Sequence, residues 1–124
     1  MALVLLGAVA VPAAAAANVL FADVNGNHVV RPKTLFLTGD GTLEVQFVHW
    51  SSWGGSAATG SGKAEYHGCT PDCAQAKVHH AQVTIALSKL KTCSGKQYYS
   101  HVALTLPSGK LLDKKYLKRS WAPC

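Results

Sequence analysis

The feature that most constrains the fold of this chain is a stripe of very small residues beside two tryptophans. Four small residues alternate with larger polar ones: Ala58, Gly60, Gly62 and Ala64. On an extended strand all four point to one face, because strand side chains alternate with a period of two. Glycine inside a strand often marks a close approach by another group. The stripe therefore predicts a strand whose bare face is covered by something large.

Trp50 and Trp53 are the side chains best placed in the sequence to cover that face. A regular strand would place the two indoles on opposite sides, so we expect a bulge or bend at Ser51 and Ser52 that turns them the same way. Covering strand glycines with aromatic rings is a known stabilising arrangement in sheets. The alternative is an exposed aromatic platform that stacks on sugar rings or bases.

Alternating polarity before the stripe predicts an antiparallel hairpin. Leu43, Val45 and Phe47 fall on one face of a strand, and the intervening residues are polar, which is typical of a strand with one solvated side. An Asp-Gly step within residues 39–41 is a strong hairpin signal. The predicted elements are an arm or edge strand in 18–31 and strands at 34–37, 42–47, 57–67, 78–87, 97–106 and 111–121. The last of these could instead be a short helix, because Leu112, Tyr116 and Leu117 fit a helical face.

These six or seven short strands, separated by Gly- and Pro-containing turns, predict an all-β fold. We expect a small antiparallel β-sandwich or barrel, stabilised by disulfides, that forms one domain over residues 18–124. Residues 1–17 are uncharged and apolar and end in alanines, which predicts a signal peptide and a secreted protein. Pro12 interrupts this run, which is shorter than the ~20 residues of a membrane-spanning helix. We expect no transmembrane span in the mature chain.

The four cysteines of a secreted chain predict two disulfides, for which three pairings exist. They are Cys69, Cys73, Cys93 and Cys124. We favour Cys69–Cys73, which brackets a Thr-Pro-Asp turn, together with Cys93–Cys124, which would fix the C-terminal residue. A zinc site needs a second closely spaced ligand pair, and Cys93 and Cys124 are far apart in sequence. We predict no metal and no cofactor.

Several motifs together resemble a family of small secreted actinobacterial proteins of unassigned function. They are RPKTLFLTGDGTLEV from Arg31, the W-x-x-W-G-G-x-x-A-x-G-x-G pattern, C-x-P-x-C-A and LSKLKTCSGKQYYSHVALT. The likeness extends from Arg31 to about Leu106 and rests on Trp50, Trp53, Gly54, Gly60, Gly62, Cys69, Pro71, Cys73 and Cys93. It implies export and a β-rich domain, and it brings no catalytic residue.

Charge is unevenly distributed along the chain, whose formal net charge is +6. Residues 18–76 carry three basic and five acidic side chains, whereas residues 77–124 carry nine basic side chains and a single acid, Asp113. The C-terminal basic residues are Lys110, Lys114, Lys115, Lys118 and Arg119. A one-sided basic surface attracts anionic polymers and membranes. It can also simply be a solvated face, and charge at a strand edge discourages aggregation.

The sequence contains no nucleophile–base motif, so we predict no catalytic residue. Glu44 and Glu65 lie on neighbouring predicted strands and could pair for glycoside chemistry, although nothing in the sequence requires this. The six histidines lack the local spacing of a metal site. The segment from Asp23 to Asn27 lacks the closing glutamate of a calcium loop, and we interpret it as a turn.

These observations favour a secreted, non-catalytic binding module. Its predicted ligand is an anionic cell-envelope polymer, held by the basic C-terminal face, and we expect no specific nucleic-acid binding. A secreted binder or inhibitor of another protein is the alternative, for which an exposed apolar patch or an unpaired strand edge would argue. A small secreted hydrolase is the third interpretation.

Overall fold

Alternating polarity along the chain produces an antiparallel sheet that is curled around one apolar core. The structure, a computed structural model, describes residues 19–38, 42–67 and 77–112. Within these ranges there are seven strands: β1 (Phe21–Ala22), β2 (His28–Val29), β3 (Leu35–Phe36), β4 (Leu43–Ser52), β5 (Ala58–Tyr66), β6 (His79–Cys93) and β7 (Lys96–Thr105). The predicted signal peptide at 1–17 lies outside the described residues.

Strands β3 to β7 form one sheet in chain order, and β1 and β2 form a separate small hairpin. The segment leading into β1 joins the β7 edge, since the Leu20 N–H donates to the Gln97 carbonyl (2.9 Å) and the Tyr99 N–H donates to the Leu20 carbonyl (3.0 Å). The Val24 N–H points to the Phe36 carbonyl of β3 at 3.5 Å. The N-terminal arm therefore connects the two edges of the curled sheet, and the prediction of a small all-β sandwich or barrel is confirmed.

The core is built from branched and aromatic side chains packed over the small residues of β5. The largest fully buried side chains are Tyr99, Phe21, Leu35, Leu43, Ile85, Leu87, Leu104, Val19 and Val45. A Cβ placed on Gly60 would lie 2.7 Å from the His49 carbonyl oxygen and 2.9 Å from Cε3 of Trp50. A Cβ on Gly62 would lie 2.7 Å from Cγ1 of Val45. Neighbouring atoms of β4 leave no room for a Cβ at either position, so glycine is required at both, as the stripe predicts.

The predicted strands match the observed ones except at the ends. Strand β3 pairs antiparallel with β4, as the hairpin signal predicts, although residues 39–41 lie outside the described ranges. Strand β6 continues to Cys93, six residues beyond its predicted end at Leu87. The extension exists because Ser94 (φ 51°) and Gly95 (φ 78°) both adopt positive φ, which forms the two-residue turn that suits a twisted hairpin.

The predicted strand at 111–121 is described only at its start. Leu111 forms an isolated antiparallel bridge with Thr105 of β7. Residues 113–121 of that strand fall outside the described part of the chain. The arm predicted at 18–31 contains β1 and β2, which pair with each other.

Phe47 does not join the core, and the prediction that it shares the buried face of Leu43 and Val45 is wrong. Leu43 and Val45 are fully buried, whereas Phe47 is 70% exposed. A bulge lies between Gln46 and His49 in the pairing with β5. It adds one residue to β4, so the alternation shifts and Val48 takes the inward position instead.

Candidate functional site

Trp50 and Trp53 form a T-shaped pair with ring centroids 4.8 Å apart. A second register irregularity, between Trp50 and Ser52, turns them toward each other, as the sequence predicts. Trp53 is buried, and its Nε1 donates to the Val19 carbonyl at 2.8 Å. Trp50 is half-buried, lies over Gly60, and its Nε1 donates to the Pro32 carbonyl at 2.9 Å. Both polar N–H groups are thus used within the fold.

Tyr99 extends this aromatic cluster from β7. Its ring meets Trp53 edge-on at 5.3 Å. Its hydroxyl accepts a hydrogen bond from the Gly54 N–H (2.9 Å) and donates one to the Gly55 carbonyl (2.8 Å). Burial raises the pKa of the Tyr99 phenol, and the Gly54 N–H and the Arg31 charge oppose this rise only in part. The three rings fix the loop after β4 against the sheet.

Phe47 is the aromatic residue of β4 that the fold leaves in solvent. Gln46 pairs with Lys63 and His49 pairs with Ser61, so Phe47 and Val48 together oppose a single residue of β5. Phe47 has φ +54°, a left-handed conformation that costs a non-glycine residue about 1–2 kcal/mol. Bulges of this kind re-aim side chains and are frequent beside functional sites.

The side chains around Phe47 form the outer face of the sheet, which we define by Phe47 and two flanking cross-strand rows. One row is Gln46, Lys63 and Gln82, and the other is His49, Ser61 and Thr84. All of these side chains are exposed except Gln46, which is half-buried. The outer face thus consists of one aromatic ring within a field of amide, hydroxyl, imidazole and ammonium groups.

Glu44 and Glu65 are brought together, as direct partners in the β4–β5 pairing. The Gln46 side-chain amide donates to Glu44 Oε1 at 2.5 Å and to Glu65 Oε2 at 3.2 Å. Nε2 of His80 lies 3.7 Å from Glu65 Oε2. This carboxylate row borders the outer face beyond Gln46. The shared amide holds the two carboxylates side by side as hydrogen-bond acceptors.

The histidines are dispersed among separate contacts. His28 meets the Tyr98 hydroxyl through Nδ1 at 3.1 Å, and His79 stacks on Tyr66 with centroids 5.5 Å apart. Within residues 19–38, 42–67 and 77–112, no group of three or more His, Cys, Asp or Glu side chains could hold a metal ion.

The segment at Asp23 is a turn, as interpreted from the sequence. Asp23 Oδ1 accepts hydrogen bonds from the backbone N–H groups of Asn25 and Asn27, both at 2.9 Å. Its Oδ2 accepts from the Asn27 side-chain amide at 3.2 Å. The carboxylate is engaged by its own turn, which is the usual behaviour of aspartate in this setting.

Of the predicted basic ligand residues, Lys110 is the one that the structure describes. It is exposed and follows the turn at 107–109. Lys114, Lys115, Lys118 and Arg119 lie outside the described residues. The sequence-based choice omitted three exposed lysines on the β6–β7 hairpin: Lys89, Lys91 and Lys96. The Ser94-Gly95 turn could have identified them as neighbours, because it folds the two strands onto each other.

Cys93 is buried at the end of β6, and the described residues contain no free cysteine. Cys69, Cys73 and Cys124 lie outside those residues. The pairing of Cys69 with Cys73 and of Cys93 with Cys124 therefore stays a prediction.

Comparison of the chain with protein-family models, with curated proteins and with solved structures gives no match. In the described part of the chain, no helix is long and apolar enough to cross a membrane.

Proposed function

We propose that this protein is a secreted binding module that holds anionic cell-envelope polymers on a basic surface. The residues proposed to bind the polymer are the exposed lysines of the β6–β7 hairpin and the predicted C-terminal cluster at Lys110, Lys114, Lys115, Lys118 and Arg119. The observation that carries the proposal is the chemistry of residues 77–112, which contain five lysines and no carboxylate.

The hairpin lysines are exposed and closely spaced. Lys89 and Lys91 are two residues apart on β6, a separation of about 7 Å along a strand. Lys96 is the cross-strand partner of Cys93, across the turn. Among the described residues, none of these lysines lies within 4 Å of a carboxylate oxygen. Unpaired ammonium groups at this spacing suit a flexible polymer with a repeating negative charge.

Retention on immobilised polyphosphate during a salt gradient tests the proposal. Each lysine contact releases counterions from the polymer, so we expect K89Q/K91Q/K96Q to elute at lower salt. The slope of the logarithm of the binding constant against the logarithm of the salt concentration should become shallower by about one per lysine removed. The variant K33Q/K63Q/K77Q loses the same charge from other surfaces and serves as the matched control. A third variant, K114Q/K115Q/K118Q/R119Q, tests the C-terminal cluster.

The expected order of retention is native chain, then the matched control, then the hairpin variant. Equal losses in the hairpin and control variants would show that only net charge matters and would contradict a defined surface. Retention of the native chain that does not change with salt would remove the charge-based mechanism altogether.

A further inference from the structure

We propose that the outer face around Phe47 is a second binding site, which takes an uncharged polysaccharide. One pyranose ring stacks on the Phe47 ring, and its hydroxyl groups bond to the flanking rows of polar side chains. This site lies on β4, β5 and β6, whereas the surface proposed for anionic polymers lies on the β6–β7 hairpin and the C-terminal residues.

The stability of the fold does not explain why phenylalanine occupies position 47. Its side chain is 70% exposed, so most of its apolar surface gains nothing from burial. Its left-handed φ of +54° is a conformation that favours glycine. At a two-against-one bulge of this kind the left-handed position is usually occupied by glycine. A phenylalanine that is both exposed and strained is best explained by a contact that it makes with a ligand.

The surroundings of Phe47 match the surface of a sugar. A pyranose has one apolar face of C–H groups and a rim of hydroxyls, each of which can donate and accept hydrogen bonds. Ser61 and Thr84 offer hydroxyls, Gln82 offers an amide, and His49 offers ring nitrogens, all in solvent. A single ring framed by such groups therefore provides both the stacking surface and the polar partners that a sugar needs.

A protein partner fits this face less well. The core of a protein–protein interface is enriched in apolar and aromatic side chains around its anchor residues. The two rows that flank Phe47 contain no apolar side chain on the outer face. The exposed ring of Phe36 lies beyond them, in the adjoining row, as the partner of Glu44. Phe47 would then be an anchor whose two flanking rows do not exclude water from the contact.

The charges on this side of the sheet also disfavour a polyanion. Lys63 is the cation of the two rows, and the adjoining row carries the carboxylates of Glu44 and Glu65. Within these three rows the two carboxylates outnumber the one ammonium group, so an anionic chain laid along β4 would be repelled by Glu44 and Glu65. An uncharged polysaccharide avoids this penalty and can use the carboxylates as acceptors for its hydroxyls.

Isothermal titration calorimetry with uncharged hexasaccharides tests the site. The probes are β-1,4-linked glucose, α-1,4-linked glucose, β-1,4-linked N-acetylglucosamine and mannose oligomers. We expect the native chain to bind at least one of them with an affinity that does not change between low and high salt. F47A should weaken that binding about ten- to a hundredfold, which is the range for a buried phenylalanine contact. Q82A should weaken it a few-fold.

The matched control is L90A, which truncates another exposed apolar side chain (36%) on the β6–β7 hairpin. It should bind the oligosaccharide like the native chain, and circular dichroism should show that both variants keep the β-sheet. The proposal is overturned if the native chain binds none of the four probes, or if F47A binds as well as the native chain. Loss of polyphosphate binding in F47A would instead assign this face to a polyanion and also contradict the proposal. Failure here leaves the hairpin result unaffected, because the lysine variants do not alter Phe47.

Discussion

The aromatic residues of β4 and of the loop that follows it divide into two groups that differ in what they contribute to the fold. Trp50 and Trp53 are tied into the structure by ring contacts and by hydrogen bonds to the carbonyls of Pro32 and Val19. Phe47, only three residues before Trp50, has most of its surface in solvent. Both groups owe their orientation to irregularities in the pairing of β4 with β5.

The difference shows that the register of a strand, more than residue type, decides which aromatic residues are available for binding. The irregularity after Trp50 turns an indole inward onto its neighbour, and the bulge at Phe47 turns a phenyl ring outward. Tryptophan beside glycine suggested a platform in the sequence, but both indole N–H groups are bonded to the backbone. The exposed ring of this strand belongs to a residue with no unusual neighbours in the sequence.

Truncation of the two kinds of aromatic residue should give the largest contrast. We expect Trp53→Ala to lower the free energy of unfolding by about 3–5 kcal/mol, because it leaves a cavity in the core and removes the hydrogen-bond donor of the Val19 carbonyl. Phe47→Ala should change it by less than about 0.5 kcal/mol, as is usual for exposed positions. Urea unfolding followed by circular dichroism measures both. A loss at Phe47 comparable with that at Trp53 would mean that Phe47 belongs to the core.

Removal of one hydroxyl from the buried cluster should have a smaller effect that depends on pH. Tyr99→Phe leaves the Gly54 N–H and the Gly55 carbonyl without their partner, so we expect a loss of about 1–3 kcal/mol at neutral pH. Burial raises the Tyr99 pKa above its ordinary value of 10.0. Above that pH the unfolded chain releases the phenol proton more readily than the folded chain does.

The stability difference between the native chain and Tyr99→Phe should therefore be complete below about pH 10 and shrink as the pH rises further. Urea midpoints measured between pH 7 and pH 11 give this difference directly. A difference that stays constant or grows above pH 10 would contradict the burial of the neutral phenol.

Much of the fold can be predicted from the sequence because it depends on local periodicity. The strand predicted at 57–67, which contains the stripe from Ala58 to Ala64, matches β5 to within one residue at each end. The same stripe predicts that a tryptophan covers Gly60. These features follow from side-chain volume and from a period of two, and both can be read directly from a sequence.

The outer face around Phe47 could not be predicted from the sequence. The bulge between Gln46 and His49 adds one residue to β4 and reverses the inward–outward alternation of its side chains, and no sequence pattern marks it. The segment from Leu43 to Phe47 alternates without interruption, and only the pairing with β5 shows the bulge. A bulge is often marked by glycine, and here the left-handed residue is phenylalanine. The long β6 was missed for a similar reason, since its extension depends on pairing with β7 through Lys91 and Tyr98 rather than on polarity.

The smallest expected effect isolates the backbone strain at Phe47. Because glycine adopts φ +54° without a steric penalty, Phe47→Gly should be more stable than Phe47→Ala, by up to about 1 kcal/mol. His49, two residues further along β4, has no positive φ. There the order should be reversed, with His49→Gly less stable than His49→Ala by about 0.5–1 kcal/mol, because glycine loses more chain entropy in a strand.

Urea unfolding of the four variants measures this reversal of order. At each position glycine is compared with alanine, and both variants lack the native side chain, so the effect of losing that side chain cancels. If glycine were the less stable choice at both positions, Phe47 would not be strained, and its conformation would give no reason to expect a ligand. If the order reverses as expected, the native phenylalanine is retained at a position where glycine gives a more stable fold. A protein keeps a residue that lowers its stability where the side chain is needed for binding, and at position 47 a single substitution to glycine would remove that loss.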